Sequence, residues 1–164
     1  MKYDYTTSRL QVRHLAQVEV CANLLDDIVA TLTPEVVRDL PNAFKGIDDR
    51  KAAQQWLEKI NQDGELLLVY SRATQRLVGM VFLYIQPTYA HIGYLLAQTC
   101  WRQGLATELL LGLIDQCRCE SPWYRLVAGV SADNLASINL LEKLGFVLDN
   151  TQADGSLHYQ LSLS

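Results

Sequence analysis

Apolar positions along this chain recur with two periods, and the switch between them lays out the elements. Residues 9–14, R-L-Q-V-R-H, alternate, so Leu10 and Val12 share one face of a first strand. The mostly apolar stretch 17–30 predicts a helix. Thr33 followed by Pro34 and Glu35 reads as an N-cap with proline at the first helical position, predicting a short second helix to about Leu40, where Pro41 interrupts. Asp48 is the expected cap of a third helix reaching Ile60, with Ala52, Ala53, Trp56, Leu57 and Ile60 on one face. Two apolar, β-rich runs, 65–70 and 77–85, flank the short connection R-A-T-Q and predict an antiparallel hairpin that Pro87 ends.

From residue 91 the order changes to strand (91–97), loop, helix (104–119), strand (125–130) and helix (134–144). Such a βαβ unit carries a parallel crossover, normally right-handed. Gly145 supplies a helix C-cap, and 146–149 and 157–163 predict two last strands. No repeat or linker divides the chain. Its 164 residues, 49% hydrophobic and 20% charged, suffice for one covered core, so a single domain spanning 1–164 is expected.

A formal net charge of −4 and a pI near 5.3 argue against a nucleic-acid partner, which needs clustered Lys and Arg, and suit a cationic or amine partner better. The start MKYDYTTSRLQVRHL has no apolar core of a signal peptide, and the longest apolar run, 77–85, is too short to cross a bilayer. A soluble, cytoplasmic protein with no membrane partner is expected. Cys21, Cys100, Cys117 and Cys119 form no CxxC pair, and His14 and His158 have no ligand spacing to His91 or to a cysteine, so they read as structural. No metal site is expected.

The loop before the 104–119 helix is the first candidate for chemistry. Ala106, Leu109, Leu110, Leu113, Ile114 and Cys117 mark that helix's buried face, which anchors the loop at a helix N-terminus. The first N–H groups there have no intrahelical partner and the macrodipole is positive, so a phosphate is a natural guest. Gly104 admits a close approach, Ala106 keeps the second turn small, and Arg102 and the Thr107 hydroxyl add donors. Alternatively, Gly104 only shapes a strand-to-helix turn. The spacing is neither G-x-x-x-x-G-K-[ST] nor G-x-G-x-x-G, which argues against mononucleotide and dinucleotide loops.

W-R-Q-G-L-A-T at 101–107, followed one helix and one strand later by N-L-A-S-I-N-L-L-E-K-L-G-F at 134–146, resembles the GNAT acetyltransferase superfamily. T-S-R-L-Q-V-R-H-L at 7–15 and H-I-G-Y-L-L at 91–96 are similar to its bacterial branch of ribosomal-protein N-terminal-alanine and spermidine acetyltransferases. The resemblance covers residues 7–161. It implies an α/β fold in the α+β sense: a mixed, mostly antiparallel sheet with a central parallel βαβ unit splayed around an acyl-CoA cleft and flanked by helices. It also implies acetyl-CoA as co-substrate, an acceptor that is a small-molecule amine or a protein N-terminus, and direct transfer. Arg102, Gln103, Gly104, Leu105, Ala106 and Thr107 would then hold pyrophosphate, and backbone at Leu95, Leu96 and Ala97 would pair with pantetheine. Asn134 would bond pantetheine or simply cap the last helix.

Two departures qualify the resemblance. Trp101 stands at the first position of the superfamily's Q/R-x-x-G-x-G/A loop, and Leu141 stands seven residues after Asn134, where many members carry a tyrosine general acid. The branch implies instead that Ser137 lies near the leaving sulfur. His91 occupies a position where relatives carry a glutamate, and an imidazole with an ordinary pKa near ~6.5 suits amine deprotonation. Alternatively it is a solvated strand-end residue and water takes the proton. Trp56, Tyr89, Tyr94 and Trp101 read as core or rim aromatics, or as a wall beside an amine, and Asp48, Asp49 and Glu65 are unassigned acceptor-side candidates. The missing tyrosine also keeps open a catalytically silent acyl-CoA sensor or interaction module. Edge strands allow a monomer or a homodimer.

Overall fold

The alternating segment becomes strand β2 (Leu10–His14), with Leu10 and Val12 buried as its period requires. A two-residue strand, β1 (Tyr5–Thr6), pairs antiparallel with it and is too short for any periodicity to register. The structure, a computed structural model, describes residues 3–164.

The helix expected over 17–30 is shorter than its apolar run. Leu15–Gln17 form a single 3-10 turn in which His14 Nδ1 accepts the Ala16 amide at 3.0 Å, and the chain is extended at Val18. Helix α1 therefore begins only at Ala22 (Ala22–Thr31). Thr33 caps the four-residue α2 (Pro34–Val37), which stops short of Leu40. Asp49, not Asp48, caps α3 (Arg50–Asp63), its Oδ1 accepting the Ala52 amide at 2.7 Å. A capping carboxylate reaches the amide three residues on, and composition does not distinguish two adjacent aspartates.

The remaining elements are β3 (Glu65–Ser71), β4 (Leu77–Ile85), β5 (Tyr89–Leu96), α4 (Leu105–Glu120), β6 (Arg125–Val130), α5 (Leu135–Lys143), β7 (Val147–Thr151) and β8 (Leu157–Ser162). They form one eight-stranded sheet in the order β1-β2-β3-β4-β5-β6-β8-β7. Every pairing is antiparallel except β5 with β6, the strands that α4 connects.

Helices cover both faces, which is why Leu66, Leu67, Leu68 and Val69 are all buried in an unbroken apolar run. On one face Leu67, Val81, Ile92, Leu126 and Tyr159 pack against α4 through Leu109, Leu110, Leu113 and Cys117. Burial raises the Cys117 thiol to about 11, so it is an inert core group. β1 lies on α4 at Gly112, where a Cβ would sit 2.5 Å from Tyr5 Cε2, and the Tyr5 hydroxyl donates to the Leu109 carbonyl at 2.7 Å. On the other face Leu66, Met80 and Phe82 meet Ile28 of α1 and Trp56 and Leu57 of α3. Phe44, Trp56 and Phe82 stack edge to face there with centroids 5.1 to 6.2 Å apart, which makes Trp56 a core residue. Among the described residues, no helix is long and apolar enough to cross a membrane.

Candidate active site

The sheet opens where its one parallel pair ends. β5 and β6 are paired from Tyr89 with Arg125 to Ile92 with Ala128, whereas β5 stays paired with β4 as far as Leu96 with Gly79. From Gly93 onward the edge of β5 facing β6 is therefore free. Backbone groups along a strand turn alternately to either side. The Ala97 N–H donates to the Val78 carbonyl at 2.7 Å, so Leu95 and Ala97 address β4, and Tyr94 and Leu96 address the gap. Trp101 Nε1 donates to the Leu96 carbonyl at 2.9 Å, leaving the Tyr94 and Leu96 amides turned to the opening.

The loop follows β5 along the chain and leads into α4. Arg102 and Gly104 have φ of +60° and +75°, and Gln103 between them does not, an alternation that turns successive amides toward one side. Gly104 is the N-cap of the 16-residue α4 and carries no side chain over the free amides of Leu105, Ala106 and Thr107. Arg9, which the loop motif does not include, braces this turn. Its Nη1 donates to the Gln103 carbonyl at 2.9 Å, and its Nε and amide each reach the Glu108 carboxylate at 2.7 Å. Burial pushes that carboxyl up, but the bonds from Thr7 and Arg9 outweigh it and hold it below its ordinary value. Arg9 thus also neutralises a carboxylate that would oppose an anion at this helix end. Arg9→Ala is expected to lower Tm by about 2–4 °C, for a loss of about 1 kcal/mol, and to weaken anion binding at the loop; calorimetry and thermal melting check both.

The N-terminus of α5 reaches β5 through Ser137. Asn134 caps it, with Oδ1 accepting the Ser137 amide at 3.2 Å. Ser137 Oγ accepts a hydrogen bond from the Tyr94 hydroxyl at 3.0 Å, which joins α5 to β5 across the mouth of the opening. Burial pushes the Tyr94 phenol up, against a smaller opposite pull from the Ser137 bond. Leu141 is 1% exposed and packs into the core, so that position presents no acid to the cleft.

His91 points to the opposite face of β5 from Tyr94, since they stand three positions apart on a strand whose side chains alternate. Its ring packs edge to face against Tyr89 at 5.8 Å and His158 of β8 at 5.7 Å. Burial, then repulsion from His158, holds the His91 imidazole below the ordinary histidine value of 6.5. It is therefore neutral near pH 7 and able to take a proton. If His91 is the base, kcat/KM rises with pH through that depressed value and levels above it. His158→Gln then moves the limb upward, toward an ordinary histidine, in a pH–rate profile.

The family model for an acetyltransferase (GNAT) domain matches residues 9–147. The chain belongs to the GNAT acetyltransferase family. A probable N-acetyltransferase, YjcK, from Bacillus subtilis (strain 168) is 31% identical over 104 residues, covering 59% of this chain and just over half, 56%, of that protein. Two solved structures share the GNAT fold at low identity. Spermidine N-acetyltransferase from Vibrio cholerae, in complex with CoA and spermine, superposes with a TM-score of 0.77 at 15% identity, over 95% of this chain and 96% of that one. Ribosomal-protein-S5-alanine acetyltransferase from Vibrio fischeri superposes with a TM-score of 0.69 at 16% identity, over 98% and 97%. The mixed, mostly antiparallel sheet with a single parallel pair is the GNAT architecture.

The remaining candidates separate. Asp49 is occupied as a helix cap, Glu65 contacts His14 Nε2, and Asp48 is exposed. A groove of about 540 Å³ at the C-terminal end of β6 is lined instead by Asp39, Asp133 and Asp154, with Ser131 and Gly155 between. Hydrogen bonds from Ser156 hold the Asp154 carboxyl below its ordinary value, keeping it ionised. Sequence pattern alone had no means of joining these three aspartates, which come from three separate connections. Among the described residues, no group of three or more His, Cys, Asp or Glu side chains is arranged to hold a metal ion.

Proposed function

We propose that this chain is an acetyl-CoA-dependent N-acetyltransferase that moves an acetyl group directly to a primary amine of a small molecule or a protein N-terminus. The observation that carries the reading is the β5 edge left unpaired toward β6 from Gly93, followed along the chain by the left-handed turn at Arg102 and Gly104 that opens α4. A pantetheine arm needs unpaired strand backbone, and a pyrophosphate needs free amides at a helix N-terminus. These residues offer both, so the site fits acetyl-CoA.

In this reading Gln103, Gly104, Leu105, Ala106 and Thr107 hold pyrophosphate through backbone amides, with Arg102 adding charge. The amides of Tyr94 and Leu96 face the opening, where pantetheine and the thioester carbonyl need donors. Bound acetyl-CoA supplies an activated acyl group on a good leaving thiol. His91, neutral at pH 7, takes the amine proton directly or through water. Ser137 donates a hydrogen bond to the departing sulfur. Asn134 acts as the cap that fixes the Ser137 amide, the simpler of its two readings. The acidic groove beside β6 suits a cationic amine, in keeping with the negative net charge.

Calorimetric titration with acetyl-CoA, with ATP as control, tests the co-substrate, and thiol release with spermidine or an alanine-initiated peptide tests the transfer. Saturable binding of acetyl-CoA together with amine-dependent thiol release is expected. Binding without release by any amine would establish the silent sensor, and no binding by the folded protein would reduce Gly104 to a turn residue.

A further inference from the structure

We propose that Tyr94 is a positioning residue for thiol departure: its phenol donates to Ser137 Oγ and so leaves the serine's own proton free to point at the leaving sulfur. The inference rests on the reading of Ser137 just given.

A serine hydroxyl has one proton and two acceptor positions. On a helix, that proton is commonly spent on the carbonyl one turn back. At Ser137 an acceptor position is filled from outside, by the Tyr94 hydroxyl at 3.0 Å, and the serine amide is held separately by Asn134. A donor that enters from β5 polarises the serine oxygen and restricts its rotation, both of which strengthen donation to a developing thiolate. Tyr94 can do this because it is held firmly. Its strand is hydrogen-bonded to β4 at this level, Tyr94 opposite Val81, and its ring packs against the core that α4 and α5 cover. Burial keeps the phenol protonated across the working range, so it remains a donor.

The same residue also turns its amide into the gap, so one position addresses both ends of the thioester, oxygen through the backbone and sulfur through Ser137. The reaction balances without any proton leaving Tyr94. The amine nitrogen forms the new C–N bond and gives its proton to His91 and then solvent. The C–S bond breaks, sulfur keeps the pair under the Ser137 hydrogen bond, and the released thiolate takes its proton from solvent. Leu141, buried one turn farther along α5, leaves this hydroxyl pair as the polar link between α5 and β5.

The test is a double-mutant cycle on thiol release from acetyl-CoA, with water alone and with spermidine as acceptors. Tyr94→Phe keeps the ring, the burial and the amide. It is expected to lower kcat about tenfold, with KM for acetyl-CoA within about twofold and Tm nearly unchanged. In a Ser137→Ala background the same change should cost less than about twofold, because the hydroxyl through which it acts is gone. Equal losses in both backgrounds would show that Tyr94 only packs and would overturn the inference, as would an unchanged kcat in Tyr94→Phe beside a slow Ser137→Ala. If Ser137→Ala is itself fully active, the reading of Ser137 fails and takes this inference with it. A parent protein with no thiol release above the buffer rate with spermidine, with an alanine-initiated peptide or with any other amine overturns the acetyltransferase reading and this one together.

Discussion

Gly104→Val is expected to raise the dissociation constant of acetyl-CoA at least tenfold. The penalty comes from the backbone. Gly104 has φ of +75°, and a Cβ there would meet nothing nearer than Arg9 Nη2 at 3.6 Å, an ordinary contact. An L-residue in the left-handed region costs about 1–2 kcal/mol, and β-branching adds to it. Because about 1.4 kcal/mol is a tenfold change in affinity, relaxing that strain by reshaping the turn is enough to spoil a set of amides aimed at one anion. The order of affinity expected by calorimetry is Gly, Asn, Ala, Val, since asparagine tolerates this conformation. A valine variant that binds as tightly as the parent would show that the turn does not hold the pyrophosphate.

Ser137→Ala is expected to lower kcat by about ten- to a hundredfold while KM for acetyl-CoA changes little. A hydrogen bond to a charged partner is worth about 1.5–3 kcal/mol, and here the charge develops only as sulfur departs, so the loss falls on kcat. The cap at Asn134 uses the backbone amide of residue 137, which alanine retains, so α5 keeps its start and Tm stays within a few degrees. Steady-state kinetics with saturating amine reads the effect. A rise in KM with kcat unchanged would move Ser137 from the departing sulfur to plain co-substrate binding.

These two residues differ in how much of their proposed role local sequence carries. Gly104 was legible because a helix start, a buried stripe and a small residue all lie within one turn of it, and no distant group is needed to say that its amides are free. The strand and helix periods were legible for the same reason, as was the parallel unit around α4. Local rules failed where two readings were equally local. Asp48 and Asp49 are both good caps, and the apolar run from residue 17 has helical composition but is extended at Val18 after a turn closed by the His14 ring.

Everything that surrounds the loop in the proposed site depends on which strands become neighbours. The spacing of H-I-G-Y-L-L places His91 and Tyr94 on opposite faces of β5. Only the order β5-β6-β8 brings His158 against the first, and only the packing of α5 over the cleft brings Ser137 against the second. Arg9 and Glu108 meet across 99 positions of chain because β1 and β2 lie beside α4. Periodicity reports which face of an element is apolar, since burial of that face is a property of the element. It says nothing about partners, because a hydrogen bond or ring contact between remote residues exists only after the sheet has chosen its order and register.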